Sequence, residues 1–530
     1  NLLMQASTVL AKSEFKGFYV DRKFLDGLVT KYAKEIKLNE IELRANKALR
    51  IFERKQKKHK LKEYIADINE EIAEIRKSKN PNSIRLIQSR TDKISRLLAG
   101  EVTNKKERAL IEPFNFNSPT QLKELLFSKK GFCFEPIRYT ESNQPSTDED
   151  VLIKLKALSD RKSVIKFIDD LLKSRELNKI NSTYVVGIKE LLSDKNKLHA
   201  TYLIHGTVTG RLSCTQPNIQ NIPRGHTAAD IKKFFIAPKG KVILQLDYAQ
   251  AELRVMAEMA NETSMIEAFK NNIDIHTATA CKKYKADPKI VTKILKDEKH
   301  KEYTTWAKRR KQAKTINFGI IYCQGAPALA ESLSEPAKDG KPAIIVTKQE
   351  AAQFLKEFDE TFPRVGRFIK NQQKKAYEQG YVKTLFGRKR RLPDLYLPAL
   401  TQMDKWGNMR KVKNYLTMEA ERQAVNAPVQ GTATDFALFS SVLIDQYTPN
   451  HWGCRQVYTV HDSLGFYIYP QYIHEAVKLF SKIVQNPETK KWFGFEMKKV
   501  KMLADFEIGI NWKDLEKYND TINYTTKFKI

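Results

Sequence analysis

Apolar positions recur at helical spacing near the start of the chain, through Leu25, Leu28, Val29 and Tyr32, and predict a helical opening. From Arg44 to Arg108 the composition turns to Lys, Arg, Glu, Ile and Leu, with almost no Gly. That stretch predicts long amphipathic helices, an antiparallel pair broken at Asn80-Pro81, because Pro cannot sit inside a helix without costing a backbone bond. A turn at Asn115–Pro119 precedes a helix from Thr120, and Ser146-Thr147-Asp148 offers side-chain caps for another. Over 201–248 the pattern becomes β-like, and Lys241–Tyr248 reads as a short apolar strand ending in an acid, Asp247. Residues 249–445 read as mostly helical, interrupted by a loop at Ser334–Lys348 that carries Pro and Gly. Val457–Tyr469 returns to β, as a hairpin with His461-Asp462-Ser463 at its turn. The whole reads as a mixed α/β chain without internal repeats or low-complexity blocks.

The chain has 530 residues, room for about two to four lobes that each bury a core. Hydrophobic residues at 41% and aromatics at 10% fit a folded chain rather than a disordered one. No apolar run reaches the ~18 residues of a membrane span, which argues against a membrane protein. Lys plus Arg is 93 and Asp plus Glu is 62, a formal charge of +31. Such a field attracts phosphate backbones; a solvated basic surface is the plainer alternative. The five cysteines include no CxxC pair, which disfavours a disulfide scaffold or a cysteine zinc site and fits a reducing compartment. The chain opens Asn1-Leu2-Leu3-Met4, with neither a signal-peptide pattern nor an initiator Met. It reads as a piece of a longer chain. The expected location is a bacterial or virus-infected cytoplasm, or an organelle matrix, and not outside the cell.

Three groups of residues carry candidate chemistry. Asp247 and Asp462 both sit at the ends of apolar strands, where carboxylate oxygens suit a hard cation such as Mg²⁺. Two such ions ~3.5–4 Å apart would activate a hydroxyl and stabilise a leaving phosphate. Either acid alone is equally a turn residue. Arg310, Lys314, Phe318 and Tyr322 follow at steps of four, each step turning a helix by only ~40°, so they form one slowly winding stripe. It suits a nucleoside triphosphate, with phosphates on the basic end and ring and sugar on Phe318; an amphipathic helix with two core aromatics is the alternative. Thr209–Ser213 and Gln216–Pro223, with Arg211, Asn218, Gln220 and Asn221, are polar loops able to hydrogen-bond nucleic-acid backbone and minor-groove atoms; plain surface loops are the alternative.

Taken together, in order along essentially the whole chain, these segments resemble the polymerase region of family A DNA polymerases, the bacterial DNA polymerase I family. Asp247-Tyr-Ala-Gln250-Ala-Glu252-Leu-Arg254 resembles motif A, Arg310-x3-Lys314-Thr-Ile-Asn317-Phe318-Gly319-Ile-Ile-Tyr322 motif B, and Val460-His461-Asp462 motif C. Gly380–Arg388 and Asn426–Ala433 are similar to further family segments, as is Thr209–Pro223; Phe114–Ser118 and Ser182–Tyr184 match weaker thumb patterns.

The resemblance implies a right-hand polymerase fold, with an antiparallel palm sheet and helical thumb and fingers. It implies a DNA-directed DNA polymerase that adds dNTPs to a primer 3′-hydroxyl and releases pyrophosphate, in replication of phage or organellar type or in repair. Asp247, Asp462 and the Tyr248 carbonyl would hold two Mg²⁺ ions, with Mn²⁺ as a possible substitute. Arg310, Lys314, Phe318, Tyr322, His276, Gln250 and Glu252 would meet the dNTP. Glu252 would exclude a ribose 2′-hydroxyl, and Phe318 in place of Tyr would disfavour dideoxynucleotides. Arg211, Asn218, Gln220, Asn221, Arg388, Asn426, Gln430 and His461 would meet the primer–template, where minor-groove acceptors test pair shape without reading sequence.

The implied layout is a helical lead-in at 1–40, a thumb at 41–192 with an extended basic helical insertion, palm at 193–250 and 450–530, and fingers at 251–449. The partners implied are primer–template DNA, dNTPs, and a processivity factor or separate exonuclease; the chain is expected to be a monomer with no membrane partner. Four positions depart from the family pattern: Ser463 stands where motif C has Glu, Ala249 and Ala251 stand in motif A, and Cys323 follows Tyr322 where Gly is usual. No proofreading domain is evident, since Asp505-Phe-Glu507 lies near the C-terminus and reads as a structural strand. Two rival readings remain, a single-subunit RNA polymerase and a non-catalytic DNA-binding accessory subunit. Glu252 argues against the first, and the retained Asp247, Asp462, Arg310 and Lys314 against the second.

Overall fold

The computed structural model describes residues 2–78, 80–110, 112–140, 142–222, 226–334, 345–403, 407–485 and 487–528. They form two compact units, 30–181 and a larger one made of 1–29 with 182–530. The N-terminal stretch joins the larger unit because its strand Phe18–Val20 pairs antiparallel with both Lys197–Leu198 and Phe235–Ile236. The sequence predicts one lead-in over 1–40; the compact units divide it after Val29.

The smaller unit is built on two long helices, α1 (Lys47–Lys77) and α2 (Ser83–Leu98). The Asn46 side chain starts α1 by accepting the N–H groups of Ala48 at 2.9 Å and Leu49 at 3.3 Å, satisfying donors that a helix start leaves open. The break falls where Asn80-Pro81 predicts it. Tyr64, Ile68 and Ile72, one turn apart, are buried together with Leu97 of α2. A second core gathers Phe52, Phe114, Phe116, Leu125, Leu152 and Phe167. Arg50, Arg54, Lys57 and Lys60 leave α1 on one side and line an open cleft with Pro113 and Phe114.

The larger unit centres on a five-stranded sheet, β1 (Val242–Tyr248), β2 (Arg455–Val460), β3 (Ser463–Ile468), β4 (Ala504–Gly509) and β5 (Glu516–Lys517), in the order β2-β3-β1-β4-β5. Every neighbouring pair is antiparallel. In β1, Val242, Ile243, Leu244 and Leu246 have no exposed surface, as its apolar run requires of a central strand. Phe18 stacks on Tyr458 with ring centroids 5.1 Å apart, and Tyr458 lies 4.6 Å from Trp512.

The helices that follow are α3 (Ala251–Ala260), α4 (Ile275–Tyr284), α5 (Tyr303–Ile321) and α6 (Tyr415–Tyr447). Tyr248 anchors β1 to α6, its hydroxyl 2.6 Å from Ser440 Oγ and donating to the Phe436 carbonyl at 3.3 Å. The expectation of helix across 249–445 fails between Gly380 and Val412. There the chain makes two small hairpins, Tyr381–Lys383 with Lys389–Arg391 and Leu400–Met403 with Met409–Val412. Gly380, with φ 72°, ends the helix Pro363–Gln379 in the left-handed backbone that suits glycine. The second hairpin is exposed almost throughout, so it shows no apolar period to read. Of the predicted loop at Ser334–Lys348, residues 335–344 lie outside the described residues. No helix among the described residues is long and apolar enough to cross a membrane.

Candidate active site

Strand register brings the two acids together. In the β1–β3 pair, Ser463 lies opposite Asp247. Val460 pairs with Ser463, which leaves His461 and Asp462 as the two-residue turn between β2 and β3. The Asp462 carbonyl accepts the N–H of Tyr248 at 3.2 Å. Asp462 is thus tied to the end of β1 one residue beyond Asp247, although 215 positions separate the two acids in the sequence. His461 has φ 56°, the left-handed conformation that the first position of a two-residue hairpin turn requires.

Ser463, the departure from the family motif, is not idle. Its hydroxyl donates to Oδ1 of Asp247. On the other side of β1, Asp505 lies opposite Asp247. Two residues further along β4, burial, reinforced by Asp247's charge, pushes the Glu507 carboxyl above its ordinary range. The Asp505–Glu507 segment is the strand that the sequence predicts.

The oxygen donors offered by Asp247, the turn and the end of β1 are two carboxylates, the Tyr248 carbonyl and the Ser463 hydroxyl, with the Asp505 carboxylate on the neighbouring strand. Among the described residues no three His, Cys, Asp or Glu side chains cluster as a metal cage. That set fits Mg²⁺, which binds through one or two carboxylates and keeps positions for water and substrate phosphate.

A cleft beside Asp462 is lined by Arg211, Gln220, Glu252, Gln430, Thr434 and His461, so five residues predicted to touch substrate or primer–template meet at one place with the turn acid. Glu252 is one of its lining residues and is held from two sides. Oε1 accepts from Arg211, and Oε2 accepts from the Tyr322 hydroxyl at 3.2 Å. Burial, then the Glu252 charge, raises the Tyr322 phenol, keeping it neutral as a donor. Tyr322 in turn stacks on Phe318 at 6.0 Å. Gln250 precedes α3 in a left-handed conformation, φ 55°, and its Oε1 accepts the Ile275 N–H at 3.3 Å. These bonds tie the end of β1 to α4 and α5.

The predicted stripe on α5 is present. Lys314 is exposed, with its ammonium 5.9 Å from the Phe318 ring centroid. Arg310 is held by both oxygens of Asp274, at 2.8 and 3.1 Å. Asp274 also caps α4, accepting the Thr277 N–H at 2.8 Å. Burial pushes the Asp274 carboxyl up, but Arg310 and Thr277 outweigh it and the net shift is downward. Asp274, which holds Arg310, was left unassigned by sequence reading; its signal was an acid in cap position before Ile-His-Thr. His276 is buried beside it, its Nδ1 3.0 Å from the Asn317 amide. Burial holds the imidazole down at about 4, so it is neutral at pH 7.

The loop residues divide. Asn218 accepts the Gln220 N–H at 3.1 Å, Gln220 donates to the Thr459 carbonyl at 3.3 Å, and the Asn221 carbonyl accepts from Tyr184. The contacts of Asn218 and Gln220 shape their own loop and its seat on β2. On α6, Asn426, Gln430 and Thr434 follow one turn apart, and the Asn426 Oδ1 is buried with no hydrogen-bond partner.

Arg388, expected on the primer–template, is turned inward. It donates to the Gly210 carbonyl at 2.9 Å and the Gly431 carbonyl at 3.1 Å, and pairs with Asp435 at 2.7 Å. Three acceptors inside the protein hold the guanidinium, so Arg388 staples the Gly210 loop to α6. Asp435, unmarked in sequence reading, is the buried partner that draws it in.

The family model for DNA polymerase family A matches residues 85–514. The chain is 30% identical over 525 residues to the DNA polymerase of Bacillus phage SP01, covering 97% of this chain and 50% of that one. It is 34% identical over 409 residues to DNA polymerase I of Bacillus subtilis, covering 76% and 40%. The chain thus spans half or less of the length of these relatives. The solved POL domain of Pol1 from M. smegmatis, in complex with DNA primer-template and dNTP, superposes with a TM-score of 0.67 at 22% identity over 96% of this chain and 70% of that one. The right-hand polymerase fold of that domain is therefore the fold of this chain, and with the family model matching residues 85–514, the chain belongs to DNA polymerase family A.

Proposed function

We propose that this chain extends a DNA primer on a DNA template, joining each dNTP to the primer 3′-hydroxyl with release of pyrophosphate. One observation carries the reading: the β1–β3 register sets Asp247 and Asp462 at one end of the sheet. The Glu252–Tyr322 bond joins the aromatic end of the α5 stripe to the start of α3, just after β1.

Asp247, Asp462 and the Tyr248 carbonyl would hold divalent magnesium. Bound there, it would lower the pKa of the attacking hydroxyl and neutralise charge on the phosphates. The protein's own share is positioning and fixed charge. Lys314 and Arg310 would meet the triphosphate, with Arg310 oriented by Asp274. Neutral His276 can donate to a phosphate oxygen without adding charge. Phe318 would carry the base and sugar. Glu252, fixed by two donors, would fill the space that a 2′-hydroxyl needs. Arg211, Asn426, Gln430 and His461 would meet the minor groove. The four basic residues along the α1 cleft would meet duplex phosphates and lengthen the grip on DNA.

Primer extension tests the reading: a labelled primer–template, four dNTPs and Mg²⁺, with wild type beside Asp462→Ala. Extension by wild type and a loss of ~10³-fold or more in the variant is expected, the rate equivalent of several kcal/mol of charge stabilisation. If neither protein extends while both bind the primer–template with steep salt dependence, the accessory-subunit reading replaces this one.

A further inference from the structure

A carboxylate that binds a cation must present its oxygens in one direction. Its terminal torsion is broad and roughly two-fold, so something must hold it. For Asp247 the holder is on the neighbouring strand. Ser463 lies directly opposite Asp247 in the β1–β3 pair, on the same face, and its hydroxyl donates to Oδ1. The bond occupies one of the roughly four acceptor positions of the carboxylate. Ser463 is itself the first residue after the Asp462 turn, and the Asp462 carbonyl is fastened to Tyr248. One short segment therefore both places the second acid and holds the first.

The two flanks of Asp247 differ in charge. Asp505 on β4 is also in register with it and is exposed. A neutral donor at 463 with an acid at 505 means that the residue paired with Asp247 on the β3 side adds no further negative charge beside it. An acid at 463 would place carboxylates on both sides of Asp247.

We propose that Ser463 is a positioning residue for Asp247, whose hydroxyl orients the carboxylate toward a divalent cation by hydrogen bonding where an acidic side chain would act by charge. This rests on the polymerase reading above. It predicts a site whose cation affinity depends on the hydroxyl and not on the size of the side chain.

The test measures Mn²⁺ binding by electron paramagnetic resonance in the complex of the protein with primer–template, together with kcat and KM for dNTP. Wild type is compared with Ser463→Ala, Ser463→Thr and Asp462→Ala. Ser463→Ala is expected to bind Mn²⁺ ~10- to 100-fold more weakly, the usual loss when a ligand's supporting hydrogen bond is removed. Its kcat at fixed Mg²⁺ falls while KM for dNTP stays level, and Ser463→Thr, which keeps the hydroxyl, restores both. Unchanged Mn²⁺ affinity in Ser463→Ala, or failure of Ser463→Thr to restore it, overturns the proposal. If Ser463→Ala is silent while Asp462→Ala loses both Mn²⁺ binding and extension, only the role of Ser463 falls. If Asp462→Ala is also silent, the polymerase reading falls with it.

Discussion

The Asp462 carbonyl accepts the Tyr248 N–H at 3.2 Å, so the turn acid is anchored to the residue that follows Asp247. The geometry of the acids is therefore a property of the sheet and not of a loop. It follows that a residue far from any substrate can disturb them by disturbing the pairing of β3.

Gly465 is such a residue. A Cβ there would come within 2.0 Å of the Tyr458 ring. That ring cannot step aside. It has no exposed surface, donates to Gln245 at 2.7 Å and lies between Phe18 and Trp512. Gly465→Ala should destabilise the fold by ~1–3 kcal/mol or more, as overpacking does, and lower kcat at temperatures where the protein remains folded. Denaturant unfolding with single-turnover extension checks both. Unchanged stability would mean that the strand can slide.

Arg388 gives a prediction with two independent readouts. The side chain of Asp435 is 1% exposed, and burial pushes its carboxyl up to about 6 although Arg388 pulls the other way. Arg388→Met would strand that acid, at a cost of ~3–5 kcal/mol. Adding Asp435→Leu should recover much of the loss, since a buried pair is often replaceable by apolar side chains. Because the guanidinium is spent on protein acceptors, the slope of log affinity against log salt for primer–template should not change. A residue neutralising a phosphate would lower that slope by ~0.9.

What the sequence could and could not reveal of these contacts has physical reasons. The α1–α2 break at Asn80-Pro81 and the strand ending in Asp247 were legible because each is set by local chemistry, a helix breaker or an apolar run. The Arg310–Tyr322 stripe was legible for the same reason, being one face of one helix. The meeting of Asp247 with Asp462 was not visible in spacing, and came only from the resemblance of their motifs; pairing register is a tertiary property. The exposed hairpin at 400–412 left no apolar period. The Arg388–Asp435 pair was not legible because its partners are 47 residues apart on different elements. Gly465 had left a signal, a glycine inside a strand pattern, which marks close approach.

His276 should make stability depend on pH. Its imidazole is held down from an ordinary 6.5 to about 4. With a depressed folded-state value, its contribution is complete above 6.5 and is lost as pH falls toward 4, because the unfolded chain takes up the proton first. Asp435 runs the opposite way: its raised value gives stability at low pH that is lost as pH rises through about 6. Comparing wild type with His276→Gln cancels the Asp435 share. The difference in unfolding free energy should change across that window by up to ~3 kcal/mol, and a flat difference would show that His276 is already solvated.

The basic side of α1 should be read through salt. Arg54, Lys57 and Lys60 line one cleft, and such cations meeting backbone phosphates carry no sequence information. Changing all three to Gln should weaken duplex binding about equally on any sequence and lower the salt slope by up to ~0.9 for each phosphate that the variant no longer neutralises. Product length in a single binding event should shorten. An unchanged slope would assign this face to solvent.

Glu252 should decide which sugar is accepted. Its side chain is 12% exposed and is held by Arg211 and Tyr322, so it cannot swing away from a 2′-hydroxyl without breaking both bonds. Glu252→Ala removes the obstacle and both acceptors. The ratio of kcat/KM for dNTP to that for the matching rNTP should fall by at least about tenfold, as expected when steric rejection gives way to weak pocket discrimination. The dNTP rate should fall as well, because Tyr322 and Arg211 lose their shared acceptor. Glu252→Gln keeps the bulk and an acceptor for one of them, and should keep the discrimination while slowing extension. If Glu252→Gln admits ribonucleotides as readily as Glu252→Ala, charge and not bulk is the gate, and the Arg211–Glu252 pair takes over as the selecting element.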